Sequence, residues 1–527
     1  MKRLLTVFVI LMLASSAVPI MADGDAPFPT KEWAVSTPEE QGMDSVEIAN
    51  LIQYFSEPAF NFDSLMVVRH GYVVAEAYSA PVQKDIPHHL ASISKTIEAM
   101  LVGIALDQGY IKSLDEKVLS FFPDITPANM DERKANITIR NLLDMTTGMN
   151  CDAFTDPLSD SALIADGVDA KECLGIPMNA APSEKFQYCQ CNCYLLTRIL
   201  TQVTGMDMMA FAQKYLFDPI GISGAVWKRL DSEDLPVPWA GLQLKTADIA
   251  RFAYLLLHQG QWDGKQIISS QFVKDAMTGH HETSFPGLGW GYEMWTLTGT
   301  DIVIPIGAWG QYIIINPSQD LIVIHTGGFH DTVRLMTHAG PFITQALALK
   351  VVDQALPANP EGTGQLKTLI ETLAKPQPQP VKTLPETVKT INDLNYALLE
   401  PMWLSKADAV LASVKIGALS FSFDGGDQFV MALTPAEGQP AEIAIGLDGI
   451  YRVSSFEGAQ VAAKGEWIGE HDLRIYFKVL GHWGIDRIDV TFLPGGGLYG
   501  VVLNLAGTWG VLGRGSGNFS GFAAEPQ

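Results

Sequence analysis

The stretch from Ser92 to Leu106 constrains this chain most, because Ile97, Met100, Leu101, Val102, Ile104 and Ala105 leave it almost no polar face. A helix that is apolar nearly all round has to be buried, so the fold must be built around it. Its N-terminal end reads Ser92-Ile-Ser-Lys95, and a serine and a lysine one turn apart share a helix face. A serine hydroxyl is a weak nucleophile until a neighbouring base takes its proton. Burial lowers the pKa of an ammonium, so a lysine in a dry pocket is expected to be neutral and to serve as that base. Ser-x-x-Lys recurs by chance in long chains, and alone the spacing supplies half of an acyl-transfer site.

A chain of 527 residues exceeds one ordinary core and points to two or three domains. Its formal charge of −23 argues against nucleic acid and anionic membrane surfaces as partners. Residues 1–22 carry the parts of a secretory signal. Lys2 and Arg3 precede the apolar run Leu4–Leu13, Ser15, Ser16 and Pro19 break it, and cleavage is expected after Ala22. That run is short beside the roughly 20 residues of a membrane span, and no later stretch is apolar enough to insert stably. The expectation is an exported protein, periplasmic or extracellular, with a leader of bacterial type.

Export makes Cys151, Cys173, Cys189, Cys191 and Cys193 candidates for disulfides, with at least one thiol left over. Cys-x-Cys-x-Cys over 189–193 lacks the spacing of a structural zinc site, and in an extended segment its members would alternate sides. No metal is expected. His88 and His89, side by side before the serine, read as surface or loop packing.

Ser64–Arg69 and Tyr72–Tyr78 around His70-Gly71 read as a hairpin. Residues 137–260 are mostly helical in pattern, as in Ile139–Met145, Tyr194–Thr204 and Thr246–Leu257, with Thr246 a candidate cap. Gln311–Asn316 and Leu321–Ile324 read as strands joined by a turn at Pro317–Asp320, and 340–355 as helix. Strands at both ends of a helical middle indicate an α/β sheet domain with an α-helical insertion. Lys375-Pro-Gln-Pro-Gln-Pro380 is a semi-rigid spacer, and 356–399 is read as a linker. Beyond it, 400–527 alternates as short strands with glycine turns and is expected to form a small all-β domain, sandwich or barrel.

Acyl transfer also needs a proton relay and donors for the oxyanion. Tyr188, in a loop before the Tyr194 helix, is a candidate relay. Six ordered segments carry a resemblance: Leu65-Met-Val-Val-Arg-His-Gly71, His89-Leu-Ala-Ser92-Ile-Ser-Lys95-Thr, Asp107-Gln-Gly-Tyr-Ile-Lys-Ser-Leu-Asp115, Ile139-Arg-Asn-Leu-Leu-Asp-Met-Thr-Thr-Gly148, Phe186-Gln-Tyr188, and Trp239-Ala-Gly-Leu-Gln-Leu-Lys-Thr-Ala-Asp248. Over residues 36–355 the chain resembles the serine β-lactamase and penicillin-recognising superfamily. That group includes class C β-lactamases, DD-peptidases, family VIII esterases and 6-aminohexanoate-dimer hydrolase.

The resemblance implies a β-lactamase/transpeptidase-like fold, α/β with a mixed antiparallel sheet flanked by helices plus an α-helical subdomain, with Ser92 as nucleophile, Lys95 as base and Tyr188 as relay. It puts Gln190 where a substrate-orienting asparagine is usual. Its third motif falls best on Pro305-Ile306-Gly307, with the oxyanion held by the amides of Ser92 and Ala308, and with Gly307 and Trp309 lining the substrate site. His325-Thr-Gly327 matches that motif in letters but lies one strand too late. The Thr146–Gly148 turn of such proteins packs near the tyrosine loop, which implies a Cys151–Cys189 bridge. The reaction implied is hydrolysis of a small-molecule ester or amide through an acyl-enzyme, without metal or organic cofactor. Its rivals are a β-lactamase or DD-peptidase, and a non-catalytic sensor of acyl or peptidoglycan ligands on the same fold.

Overall fold

In the computed structural model, residues 28–57, 60–152, 169–230, 234–328, 335–404, 414–437, 439–456, 458–482, 486–493, 498–506 and 517–524 are described. The leader read at 1–22 lies outside them.

Apolar residues from both ends of the first 350 build one six-stranded sheet. Its order is Ala34–Val35, Tyr72–Tyr78, Phe62–Arg69, Leu321–Gly327, Gln311–Asn316 and Ile306–Gly307. Only the first pair is parallel. Phe62–Arg69, Gln311–Asn316 and Leu321–Gly327 are buried along their whole length, as continuous apolar runs covered on both faces should be. Helix Thr246–Leu257 packs against the first and third of these strands. Thr246 is not its cap: Lys245 holds that position, and the Thr246 hydroxyl instead pairs with Ser64 Oγ at 2.8 Å.

The helix after Ser92 spans Ile93–Asp107, and every residue from Ile93 to Ala105 is buried. It lies against Gln190–Thr204 and Ser270–Met277 in the helical part of the domain. The cysteine run is thus helical from Gln190 on, which corrects the extended reading. His88 and His89 are also corrected: they form a buried two-residue strand paired with Leu244 and Gln243.

The segment read as a linker contains a 15-residue helix, Pro360–Ala374, started by Asn359, whose side chain accepts the Gly362 N–H. It packs on helix Ser45–Phe55 and on strand Tyr72–Tyr78, burying Leu366. The helix expected over 340–355 is Leu335–Leu347. Past the exposed prolines, ten strands from Asn395 to Ala524 form one antiparallel sheet, closed by a parallel pairing of Gly446 with Lys464. Alternation fills this barrel: in Gln428–Pro435, Phe429, Met431 and Leu433 point inward. It has its own hydrophobic core, separate from that of the first domain.

Because Leu366 is 4% exposed, Leu366→Ala should cost about 2–5 kcal/mol, read as a lowered urea midpoint. A change within about 0.5 kcal/mol would show that this helix does not pack.

Candidate active site

Ser92 sits at the N-cap of its helix in helical conformation, and its side chain makes no capping bond. The hydroxyl is therefore left to other partners. Lys95, one turn on and 1% exposed, reaches it at 3.3 Å and donates at 2.8 Å to the Trp239 carbonyl. Tyr188 is in hydrogen-bond contact with both Ser92 and Lys95, and its ring centroid lies 5.0 Å from Lys95 Nζ. Tyr194, the other tyrosine of this region, is fully buried in the helix behind. Tyr188 packs edge-on to Trp290 at 5.5 Å, and Trp290 meets Trp295 at 4.9 Å, so these two tryptophans are a buried wall for the tyrosine.

The tyrosine loop is braced twice. Cys151–Cys189 ties it to the Thr146–Gly148 turn, with Cα atoms 5.3 Å apart, and Cys173–Cys191 anchors the helix that follows. Each bridge is worth about 2–4 kcal/mol. Cys193 keeps a free, buried thiol.

Edge strand Ile306–Gly307 lies directly against the turn before Ser92. A Cβ on Gly307 would stand 2.3 Å from the Leu90 carbonyl oxygen and 3.2 Å from Ala91 Cβ. Glycine is therefore required there for close approach. Ala308 and Trp309 follow, both half-buried, with Trp309 in left-handed backbone at φ 63°. Gln311, fully buried, donates from Nε2 to the carbonyls of Trp309 at 3.2 Å and Gly327 at 2.8 Å, and so braces this turn. Sequence reasoning missed Gln311, since nothing but its place on an apolar strand marks it. Gln190 opens its helix two residues after Tyr188, half-buried. His325 is enclosed in the sheet among Phe55, Tyr312 and Phe342, with Nδ1 donating to the Gly310 carbonyl at 2.8 Å.

The electrostatics correct one expectation. Burial pulls the Lys95 ammonium down, but Tyr188, Cys193 and Glu293 together outweigh it and leave Lys95 above its usual value. Tyr188 is held above the ordinary phenol range by burial, against the pull of Lys95 and Ser92. Behind Lys95 lie three buried acids, Glu98, Cys193 and Glu293, of which sequence reasoning named only Cys193, as a disulfide candidate. Burial raises Glu293 and Cys193 well above their ordinary values, and lifts Glu98 from 4.5 to about 8. Glu293 stands in left-handed backbone at φ 53°, fixed by a 2.8 Å bond from Thr96 Oγ1 to its carbonyl.

A carboxyl raised on folding binds a proton that the unfolded chain has already released, so it lowers stability as pH rises through that window. Stability should therefore fall between pH 4.5 and about 8 on account of Glu98. Glu98→Gln, which keeps an acceptor for Thr197, should remove that part of the fall. Its urea midpoint, relative to wild type, should climb by a few kcal/mol equivalent across the range; a constant offset would contradict a protonated Glu98.

The chain is similar to several known proteins. Over 291 residues the chain is 24% identical to 6-aminohexanoate-dimer hydrolase of Paenarthrobacter ureafaciens, covering 51% of this chain and 73% of that protein. It is 24% identical over 193 residues to esterase EstB of Burkholderia gladioli, covering 33% of this chain and 49% of that one. The octameric penicillin-binding protein homologue of Pyrococcus abyssi superposes with a TM-score of 0.45 at 15% identity, over 90% of this chain and 99% of its own. The family model described as Beta-lactamase matches residues 49–329, more than half of the chain. The chain therefore belongs to the Beta-lactamase family and is a serine hydrolase of that family.

Proposed function

We propose that Ser92 forms an acyl-enzyme with a neutral ester or amide, and that Lys95 and Tyr188 move its proton as one unit. The observation that carries this reading is the meeting of half-buried Ser92 Oγ with the buried Lys95 Nζ and Tyr188 at one point. The Ser92 proton passes to the Lys95–Tyr188 pair as Oγ bonds to the carbonyl carbon. The amides of Ser92 and Ala308 hold the oxyanion. Tyr188 then delivers the proton to the leaving alkoxide or amine, and water releases the acyl group by the same steps in reverse. Gln190, Gly307 and Trp309 frame the substrate. Secretion by the segment 1–22 is part of the same proposal.

A β-lactam carries a carboxylate that wants a cation or hydroxyl beside the oxyanion strand. Pro305-Ile306-Gly307 offers neither, and His325 is walled into the sheet. A charge-assisted hydrogen bond contributes roughly 1.5–3 kcal/mol, so its absence should lower kcat/KM for β-lactams by about 10- to 100-fold. Neutral esters and amides lose nothing. Retention of all three reacting side chains in contact disfavours a purely binding role.

Ser92→Ala should abolish turnover of p-nitrophenyl butyrate while leaving the circular dichroism spectrum and melting temperature close to wild type. Faster turnover of a chromogenic cephalosporin than of this ester by the wild-type enzyme would overturn the substrate assignment.

The pH profile tests the proton inventory. Two groups both held above their ordinary values must shed one proton before Ser92 can give up its own. Initial rates should then show kcat/KM climbing steadily on the alkaline side of neutrality. A flat profile from pH 6 to 9 would mean that the resting pair has already lost that proton.

A further inference from the structure

The turn that delivers Ser92 is strained and is held from the far side by the barrel. Ala91, just before Ser92, has left-handed backbone at φ 47°, which an alanine adopts only when its surroundings enforce it. The His89 side chain enforces it, since Nδ1 accepts the Ala91 N–H at 3.0 Å. That bond places the ring proton on Nε2, and burial holds the ring well below the ordinary histidine value. The Ala91 carbonyl accepts the Ser94 hydroxyl at 2.8 Å, completing the turn.

His89 is in turn gripped by the barrel hairpin at 478–482. Its backbone N–H donates to the Gly481 carbonyl at 2.7 Å, and its ring lies 5.6 Å from that of His482. Gly481 has φ 83°, and a Cβ there would stand 2.3 Å from the Pro87 carbonyl oxygen. Beside this contact Lys478, 4% exposed, donates to Asp63, whose other oxygen is 2.8 Å from His88 Nε2. Burial pushes the Asp63 carboxyl up, but Lys478 and then His88 bring it below the usual range. A buried carboxylate robbed of its cation is costly. Lys478 thus secures His88, while Gly481 secures His89.

We infer that Lys478 and Gly481 of the barrel are positioning residues for the nucleophile, clamping residues 87–89 so that the Ala91 turn aims Ser92 at its substrate. The barrel is then a working part of the hydrolase and not a detachable module. This rests on Ser92 being the nucleophile. Misplacement of a reacting group by about 1 Å can cost about 100-fold in rate.

The test is the rate at which a fluorophosphonate labels Ser92 in full-length protein, with kcat and KM for p-nitrophenyl butyrate measured beside it. Lys478→Met should slow labelling and lower kcat about 10- to 100-fold with KM little changed, and Lys478→Arg should recover most of the loss. Arg474→Met, which breaks an ion pair with Asp489 wholly within the barrel, should lower the melting temperature without slowing labelling. Wild-type labelling rate in Lys478→Met would overturn the inference, whatever the melting temperature does. If Lys478→Met does not fold, Gly481→Ala decides in its place: slowed labelling supports the clamp, and unchanged labelling refutes it. Wild-type enzyme that resists the label would refute the nucleophile assignment and this inference with it, a result distinct from a labelled wild type with unaffected variants.

Discussion

A lysine ammonium with 1% of its surface exposed is the constraint on which the rest of this structure depends. Removing such a charge from water costs several kcal/mol even after relaxation, and only polar partners at short range offset it. The Trp239 carbonyl, the Ser92 hydroxyl and the Tyr188 phenol are those partners. They come from three distant parts of the sequence, so the charge can be buried only if the chain closes around it. The apolar helix Ile93–Asp107 is what forces the burial. Nucleophile activation and fold therefore share one set of contacts.

Strain and bracing follow the same plan. Three left-handed residues stand on the approaches to the site: Ala91 before the nucleophile, Glu293 behind the lysine, Trp309 beside the oxyanion turn. Such conformations persist where the surroundings over-determine them. Here the braces are named: His89 for Ala91, Thr96 for Glu293, and Gln311 for the turn that contains Trp309. The two disulfides do the same for the loop bearing Tyr188. Each brace is a buried polar group or a covalent link outside the reacting set, and each keeps a reacting atom within reach of the next.

Much of this was legible in the sequence wherever one segment settles its own structure. The Ser92 helix, the hairpin around His70-Gly71, the strands on either side of Pro317–Asp320 and the helix Thr246–Leu257 follow from apolar pattern and turn chemistry. The Cys151–Cys189 bridge was reached through the family resemblance. What failed depended on long-range partners. Lys95 was expected to lose its charge because burial alone was counted, while Cys193 and Glu293 lie about 100 and 200 residues further along. The helix Pro360–Ala374 has two glycines and a proline-rich flank, and only its packing on Ser45–Phe55 explains it. His88 and His89 looked like surface residues because Lys478 and Gly481, which bury them, belong to another domain. Thr246 lost its cap role to a hydroxyl pair with Ser64, 182 residues away.

The central claim is that the contact of Ser92, Lys95 and Tyr188 builds an acyl-enzyme. Mixing the protein with a p-nitrophenyl ester of a slowly released acyl group, quenching in acid and mapping the adduct by peptide mass spectrometry tests it most directly. The account predicts a single acyl group, appearing with the burst of p-nitrophenol and located on Ser92. Ester turnover with no adduct, or with the acyl group on another side chain such as the Cys193 thiol, would contradict it.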